Sequence, residues 1–164
     1  AGYSWKVAPA WTLAGDIKKI NYSKVAAVGN NSSCLLGFGG ATSCRLGDNN
    51  GGGFGWEDVT VYKIGVSYQQ SQNLTLRAGY SYNKQPIPES QTLFNLLAPA
   101  VTTDHLTVGA TWTLANKGEL TLAYMHAFDN QVDGSGSIPA GFGGGNANLK
   151  MYQDSFGVAY GMKF

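Results

Sequence analysis

Charge is scarce in this chain: 13% of its 164 residues are Asp, Glu, Lys or Arg, about half the usual share in a globular domain, and the formal net charge is +1. Its 11 basic residues form no cluster, so the electrostatic footprint needed to neutralise several phosphates is missing and a nucleic-acid partner is excluded. Long apolar runs are lacking too. Stretches such as Leu93 to Val101 are broken by Asn95 and Pro99 and fall well short of the ~20 residues of a spanning helix. Asp48, Glu57, Asp58 and Asp133 are too scattered for a calcium site. The segments DNNGGGFG and GFGGGN lack the strand-to-helix context and the Lys of a phosphate loop, and read as flexible loops. Neither a metal nor a cofactor is expected. The sequence opens on Ala1 with neither an initiator Met nor a charged-then-apolar leader, and the expectation is that something upstream has been removed.

What the chain does have is glycine, 23 residues, and aromatics, 12%. Cys34 and Cys44 lie ten residues apart in a Gly/Ser/Asn-rich stretch without His or acidic neighbours, which disfavours metal ligation. A loop-closing disulfide fits best and points to an oxidising compartment, where such a bridge adds about 2 to 4 kcal/mol; two unrelated free thiols are the alternative.

Outside the loops, apolar residues recur at every second position, the period of a strand whose two faces meet different surroundings. Phe156, Val158, Tyr160, Met162 and Phe164 oppose Gly157, Ala159, Gly161 and Lys163. Comparable alternation runs through Leu120 to Phe128, Leu106 to Leu114, Leu74 to Asn83 and Tyr62 to Gln69. The first two strands are noisier: Trp11, Leu13 and Ile17 keep one parity, Ile20 and Tyr22 the other, which reads as a β-bulge near Lys18 or Lys19. Seven strands result. Their connections alternate between short (Ala8 to Ala10, Gln70 to Asn73, Ala115 to Gly118) and long (Ala26 to Gly55, Gln85 to Thr102, Asn130 to Leu149). Short turns on one rim and long loops on the other are the plan of an outer-membrane β-barrel, turns periplasmic and loops extracellular.

A soluble β-sandwich would also alternate. Three features favour the barrel. The non-apolar face is mostly Gly, Ala, Ser and Thr, suited to a crowded or wet lumen. Aromatics gather at strand ends, with Trp11, Tyr68, Trp112 and Phe164 towards the short turns and Tyr22, Trp56, Tyr82, Phe128 and Tyr152 towards the long loops. A strand from Trp11 to Tyr22 tilted by about 45° climbs roughly 25 Å, the height of a barrel's apolar band. Finally, the chain ends on Phe164. The fold class expected is therefore all-β: an antiparallel transmembrane β-barrel of outer-membrane type, here about seven strands, with long extracellular loops.

Five stretches carry a family resemblance: DIKKINYSKV (Asp16 to Val25), GFGWEDVTVYKIGVSY (Gly53 to Tyr68), LTLRAGYSYNKQPIPES (Leu74 to Ser90), TTDHLTVGATWTLANKGELTLAYMHAF (Thr102 to Phe128) and SFGVAYGMKF (Ser155 to Phe164). Through them the chain resembles the C-terminal portion of the FadL family, outer-membrane transporters of long-chain fatty acids and of toluene-like hydrocarbons. The resemblance implies a fourteen-stranded barrel with an N-terminal hatch and a lateral exit for apolar ligand. On that reading residues 1–164 are the C-terminal half of the barrel, and the hatch and first strands have no counterpart here. The terminal strand, with Phe156, Val158, Tyr160, Met162 and Phe164, is the expected signal to the barrel-assembly machinery.

The function expected is passive outer-membrane transport of long-chain fatty acids or other hydrophobic compounds; a general porin or structural barrel without a hydrophobic ligand is the alternative. Such transport needs apolar surface and one or two cations for a carboxylate head. Leu93, Phe94, Leu96 and Leu97 fall at helical spacing in a long loop, where they form either an entrance groove or a lid packed onto the barrel mouth. Lys63 and Arg77 share the lumen parity and could meet a carboxylate there or pair with other lumen charges such as Asp16. His126 falls on the lipid-side parity and His105 near the top of the neighbouring strand. Nothing places a serine beside either, so an outer-membrane hydrolase is set aside and no catalytic residue is assigned.

Overall fold

The structure, a computed structural model, describes residues 1–36 and 44–162. Seven strands, β1 (Gly2–Ala8), β2 (Trp11–Ile20), β3 (Val59–Gln69), β4 (Leu74–Asn83), β5 (Asp104–Thr113), β6 (Glu119–Val132) and β7 (Leu149–Gly161), follow one another in space as in sequence. Every neighbouring pair is antiparallel. Most of these strands are long enough to cross a bilayer when tilted, which takes about 9 to 11 residues. Among the described residues β1 and β7 are each paired on one side only, so the sheet is an open segment of a barrel.

Register sorts the side chains into two faces. Leu13, Val66, Ala78, Val108, Tyr124 and Phe156 belong to one, with Ile64, Tyr80, Leu106 and Leu122 around them. The other face carries Ala14, Gly65, Gly79 and Thr107 in one row and Thr12, Ser67, Arg77, Gly109, Ala123 and Gly157 in the next. The long loops close over this second, inner face, because Val59 and Val61, which share its parity, are buried.

No bulge resets β2. Its pairing with β3 is regular from Trp11 to Ile20. The apolar parity changes there because Ile20 meets Val59 on the inner face, where the loops above make that face apolar. The irregularities lie elsewhere: β1 shifts register between Lys6 and Ala8, and β6 shifts between Ala127 and Asn130 against β7. Beyond the second shift the β6–β7 hairpin continues through Val132 and Leu149, longer at that rim than alternation alone indicates.

The core sits at that end. Ile87 and Val101, from the segment between β4 and β5, pack with Val132 and Leu149 from the extended hairpin, and Trp56, Ala100 and Met151 close around them. Tight approach fixes some loop glycines: a Cβ on Gly51 would stand 2.0 Å from the Arg45 carbonyl oxygen, and one on Gly134 2.2 Å from that of Ala147. At the tip of the last long loop, Gly143, Gly144 and Gly145 take φ of 96°, 69° and 105° with no heavy atom within 4 Å of an added Cβ. They serve the turn, not the packing.

Candidate functional site

The segment between β4 and β5 cannot form one continuous helix, since Pro86, Pro88 and Pro99 interrupt it. It winds instead through two 3-10 turns, Glu89–Gln91 and Phe94–Leu97. Polar side chains anchor it. The backbone N–H and hydroxyl of Ser32 each donate to Gln91 Oε1 at 2.9 Å. Asn95 Nδ2 donates to the carbonyls of Phe54 (2.7 Å) and Gln91 (2.8 Å), while Trp56 Nε1 donates to Asn95 Oδ1 at 2.6 Å. With Gln91, Thr92 and Asn95 buried beneath, the hydrophobic members divide: Leu93 and Phe94 are half-buried, Phe94 against Phe54 at 4.9 Å, whereas Leu96 is 56% and Leu97 76% exposed. Lid and exposed apolar ridge thus coexist in one segment. The i, i+4 spacing of Gln91 and Asn95 was the available signal for the clamp, and apolar patterning passes over it.

Below this cap, against the inner face, lies a cavity of about 220 Å³ lined by Ile20, Tyr22, Trp56, Val61, Asn83 and His105, among others. Tyr22 and Trp56 meet edge to face at 5.1 Å. These two rings therefore belong to the cap and not to an outward aromatic girdle, because the loop that carries them folds inward. Elsewhere the rims match expectation: Trp11 stacks on Tyr68 at 4.3 Å beside the short turns, and Phe128 and Tyr152 are exposed at the other end.

Lys63 and Arg77 both stand on the inner face, Lys63 opposite Asp16 and Ser81, Arg77 opposite Ser67 and Gly109. Because Lys63 pairs with Ser81, four residues along β4 from Arg77, the two cations are separated by about 13 Å along the strands. The structure does not bring them together, nor does it join either to the leucines of the cap. Between them the row of Ala14, Gly65 and Gly79 keeps the surface low. A Cβ on Gly79 would meet Thr107 Oγ1 at 2.9 Å and the Ile64 carbonyl at 3.3 Å. Around Arg77 a groove of about 350 Å³ is floored by Gly65, Gly109 and Ala123 and edged by Thr12, Ser67 and Thr121. Arg77 Nη1 donates to Thr111 Oγ1 at 2.7 Å, and Thr111 Oγ1 lies 2.9 Å from Thr121 Oγ1.

The two histidines occupy opposite faces. On the apolar face His126 Nδ1 is 2.8 Å from Asp154 Oδ1, which also accepts from the Tyr124 hydroxyl at 2.6 Å. Nearby, the Tyr80 hydroxyl donates to Asp104. His105 points the other way, its Nε2 3.4 Å from Thr102 Oγ1. Among the described residues no serine is hydrogen-bonded to either ring, and no cluster of His, Cys, Asp or Glu could hold a metal. Cys34 and Cys44 are joined by a disulfide with Cα atoms 5.7 Å apart. Phe156, Val158, Tyr160 and Met162 line up exposed along β7 and just beyond it, as their alternation requires; Phe164 lies outside the described residues.

Comparison with known proteins adds two findings. A family model described as outer membrane protein transport protein (OMPP1/FadL/TodX) matches residues 1–164. Among solved structures, a TodX monoaromatic hydrocarbon channel, the deltaS2 mutant, superposes with a TM-score of 0.59 at 20% sequence identity; the match covers 99% of this chain and 34% of that one. The chain thus spans about a third of the length of that channel, and the likeness is one of fold. No curated protein matches significantly.

Proposed function

The chain belongs to the OMPP1/FadL/TodX family of outer membrane transport proteins, and we propose that it supplies seven strands of a passive channel for long-chain fatty acids or other hydrophobic compounds. The long loops face the cell exterior and the short turns the periplasm. The remaining strands and the hatch come from the rest of the full-length protein. Two open sheet edges in lipid support this, since each unpaired backbone group there costs several kcal/mol.

The observation that carries the reading is the contrast between the faces: the body of one is apolar and bare, whereas the other is low and glycine-rich with separated charges such as Lys63 and Arg77 and a groove beside Arg77. Leu93, Phe94, Leu96 and Leu97 collect the ligand. Lys63 and Arg77 offer contacts to a carboxylate when there is one. A neutral hydrocarbon, the cargo named for the TodX channel, needs only the apolar surface. The β7 side chains Phe156, Val158 and Tyr160, with Met162 and Phe164 after them, present the strand to the barrel-assembly machinery and then to lipid.

The test is uptake by liposomes holding the full-length protein. Oleate or toluene should enter faster than through empty liposomes, while small sugars cause no swelling. Sugar-driven swelling without hydrophobic uptake would favour a general porin. On intact cells, a cysteine at Gly136 should react with an impermeant reagent and one at Asn116 should not.

A further inference from the structure

Among the described residues no acid is ion-paired with Arg77. The acids on the inner face of the strands are Asp16 and Glu119. By strand spacing each lies two strands across and four residues along from Arg77, roughly 16 Å away. The described ion pairs are His126 with Asp154 on the apolar face and Lys150 with Asp129 near the long-loop rim. Level with Arg77, the row holds Gly109, Ala123 and Gly157 on the β5 to β7 side, with no side chain larger than a methyl, and the neutral hydroxyls of Ser67 and Thr12 on the other. A guanidinium has five N–H donors, and one of them is committed, to Thr111. Thr111 Oγ1 accepts from Arg77 and shares a second hydrogen bond with Thr121 Oγ1, 2.9 Å away. The hydrogen-bonded row Arg77, Thr111 and Thr121 spans β4, β5 and β6 and ties the guanidinium down on the β5 side.

We propose that Thr111 and Thr121 are positioning residues that aim Arg77 into the groove, and that this aimed guanidinium lets the channel favour carboxylate-bearing over neutral hydrophobic ligands. The proposal rests on the transport reading above and names a selectivity within it. The chemistry follows from the donor fork: a carboxylate accepts two parallel N–H bonds from a guanidinium held in one orientation, whereas a swinging side chain loses that geometry while keeping its charge. A neutral hydrocarbon gains nothing from either state. The groove, about 350 Å³ and otherwise without formal charge, suits an acyl carboxylate entering beside its own alkyl chain.

The experiment compares oleate and toluene uptake by liposomes holding the full-length protein, with the folded fraction of each variant checked by heat-modifiable gel mobility. R77Q should slow oleate uptake by more than about tenfold, the worth of a charge-assisted hydrogen bond, and leave toluene within about twofold. T111V, which keeps shape but removes the hydroxyl, should lower oleate uptake severalfold with toluene again unaffected, and T111S should restore it. Parallel loss of both ligands would make Arg77 and Thr111 structural and overturn the proposal. So would oleate uptake unchanged in T111V, or a wild-type protein that carries toluene and rejects oleate; in those cases hydrophobic transport itself still stands. Wild-type protein that carries neither ligand would bring down the transport reading first and the selectivity with it.

Discussion

Val59 and Ile64 lie five residues apart in the same strand, flanked on both sides by other strands, yet Val59 is 5% exposed and Ile64 66%. The first faces inward under the cap; the second faces out from the body of the sheet. In the cap the chain behaves as a water-soluble protein does, gathering Ile87, Val101, Val132 and Leu149 from separate segments and satisfying Gln91 and Asn95 with hydrogen bonds. In the sheet body it leaves whole rows of Leu, Val, Ile and Tyr bare. Apolar surface on that scale is buried by something outside the protein, and lipid is the solvent that fits. The two regions therefore derive stability from different places, the cap from its own packing and the sheet from its backbone ladder together with the bilayer.

Substitutions can pull the two apart. The largest effect is expected from Asn95→Ala, which abandons Trp56 Nε1 and the carbonyls of Phe54 and Gln91 at about 1 to 3 kcal/mol for each buried group left unpaired. Protease should then cut the cap readily while heat-modifiable mobility of the barrel persists; collapse of both together would mean that cap and sheet are one cooperative unit. Next comes Val108→Arg at the middle of the apolar face, expected to cost about 2 to 4 kcal/mol in a bilayer, against little for Thr107→Arg on the inner face. Urea titration in vesicles checks the pair, and equal costs would erase the distinction between faces.

Opening the Cys34–Cys44 bridge should destabilise by about 2 kcal/mol, read as faster proteolysis confined to the first long loop. The smallest effect belongs to Asp58, at the foot of that loop. The Ser23 hydroxyl and backbone N–H, aided by Lys19 and Lys24, hold its carboxyl below the ordinary range despite some desolvation. A folded-state value below the unfolded one means the contribution is complete above the ordinary value of about 3.9 and fades as pH falls through the folded value. Cap proteolysis should rise slightly on acidification through that window, and Asp58→Asn should flatten the trend.

Strand number, order and facing were legible because period-two alternation in Leu74 to Asn83 or Leu106 to Thr113 reflects two constant environments. Legibility ended where an environment changed partway along a strand. Ile20, Val59 and Val61 turn the inner face apolar under the cap, and from sequence Ile20 imitates a bulge in β2. The real irregularity in β6 lies among Phe128, Asp129 and Tyr152, where charge and aromatics hide the continuing ladder. The inner-face placement of Lys63 and Arg77 was legible from parity, whereas the contacts of Thr111, Thr121, Gln91 and Asn95 arise only when distant segments meet.

A Cβ added to any of the three left-handed glycines at the tip of the last long loop would meet nothing, while one on Gly51 or Gly134 would be wedged against backbone. Evolution and engineering meet different constraints at the two. Between Ala140 and Asn146 related chains should differ in length more than in the freedom to replace each glycine, since positive φ penalises most side chains but no packing fixes how many residues make the turn. That makes the tip the natural place to insert a foreign segment, a change of length there leaving the packed part of the loop around Gly134 as it is.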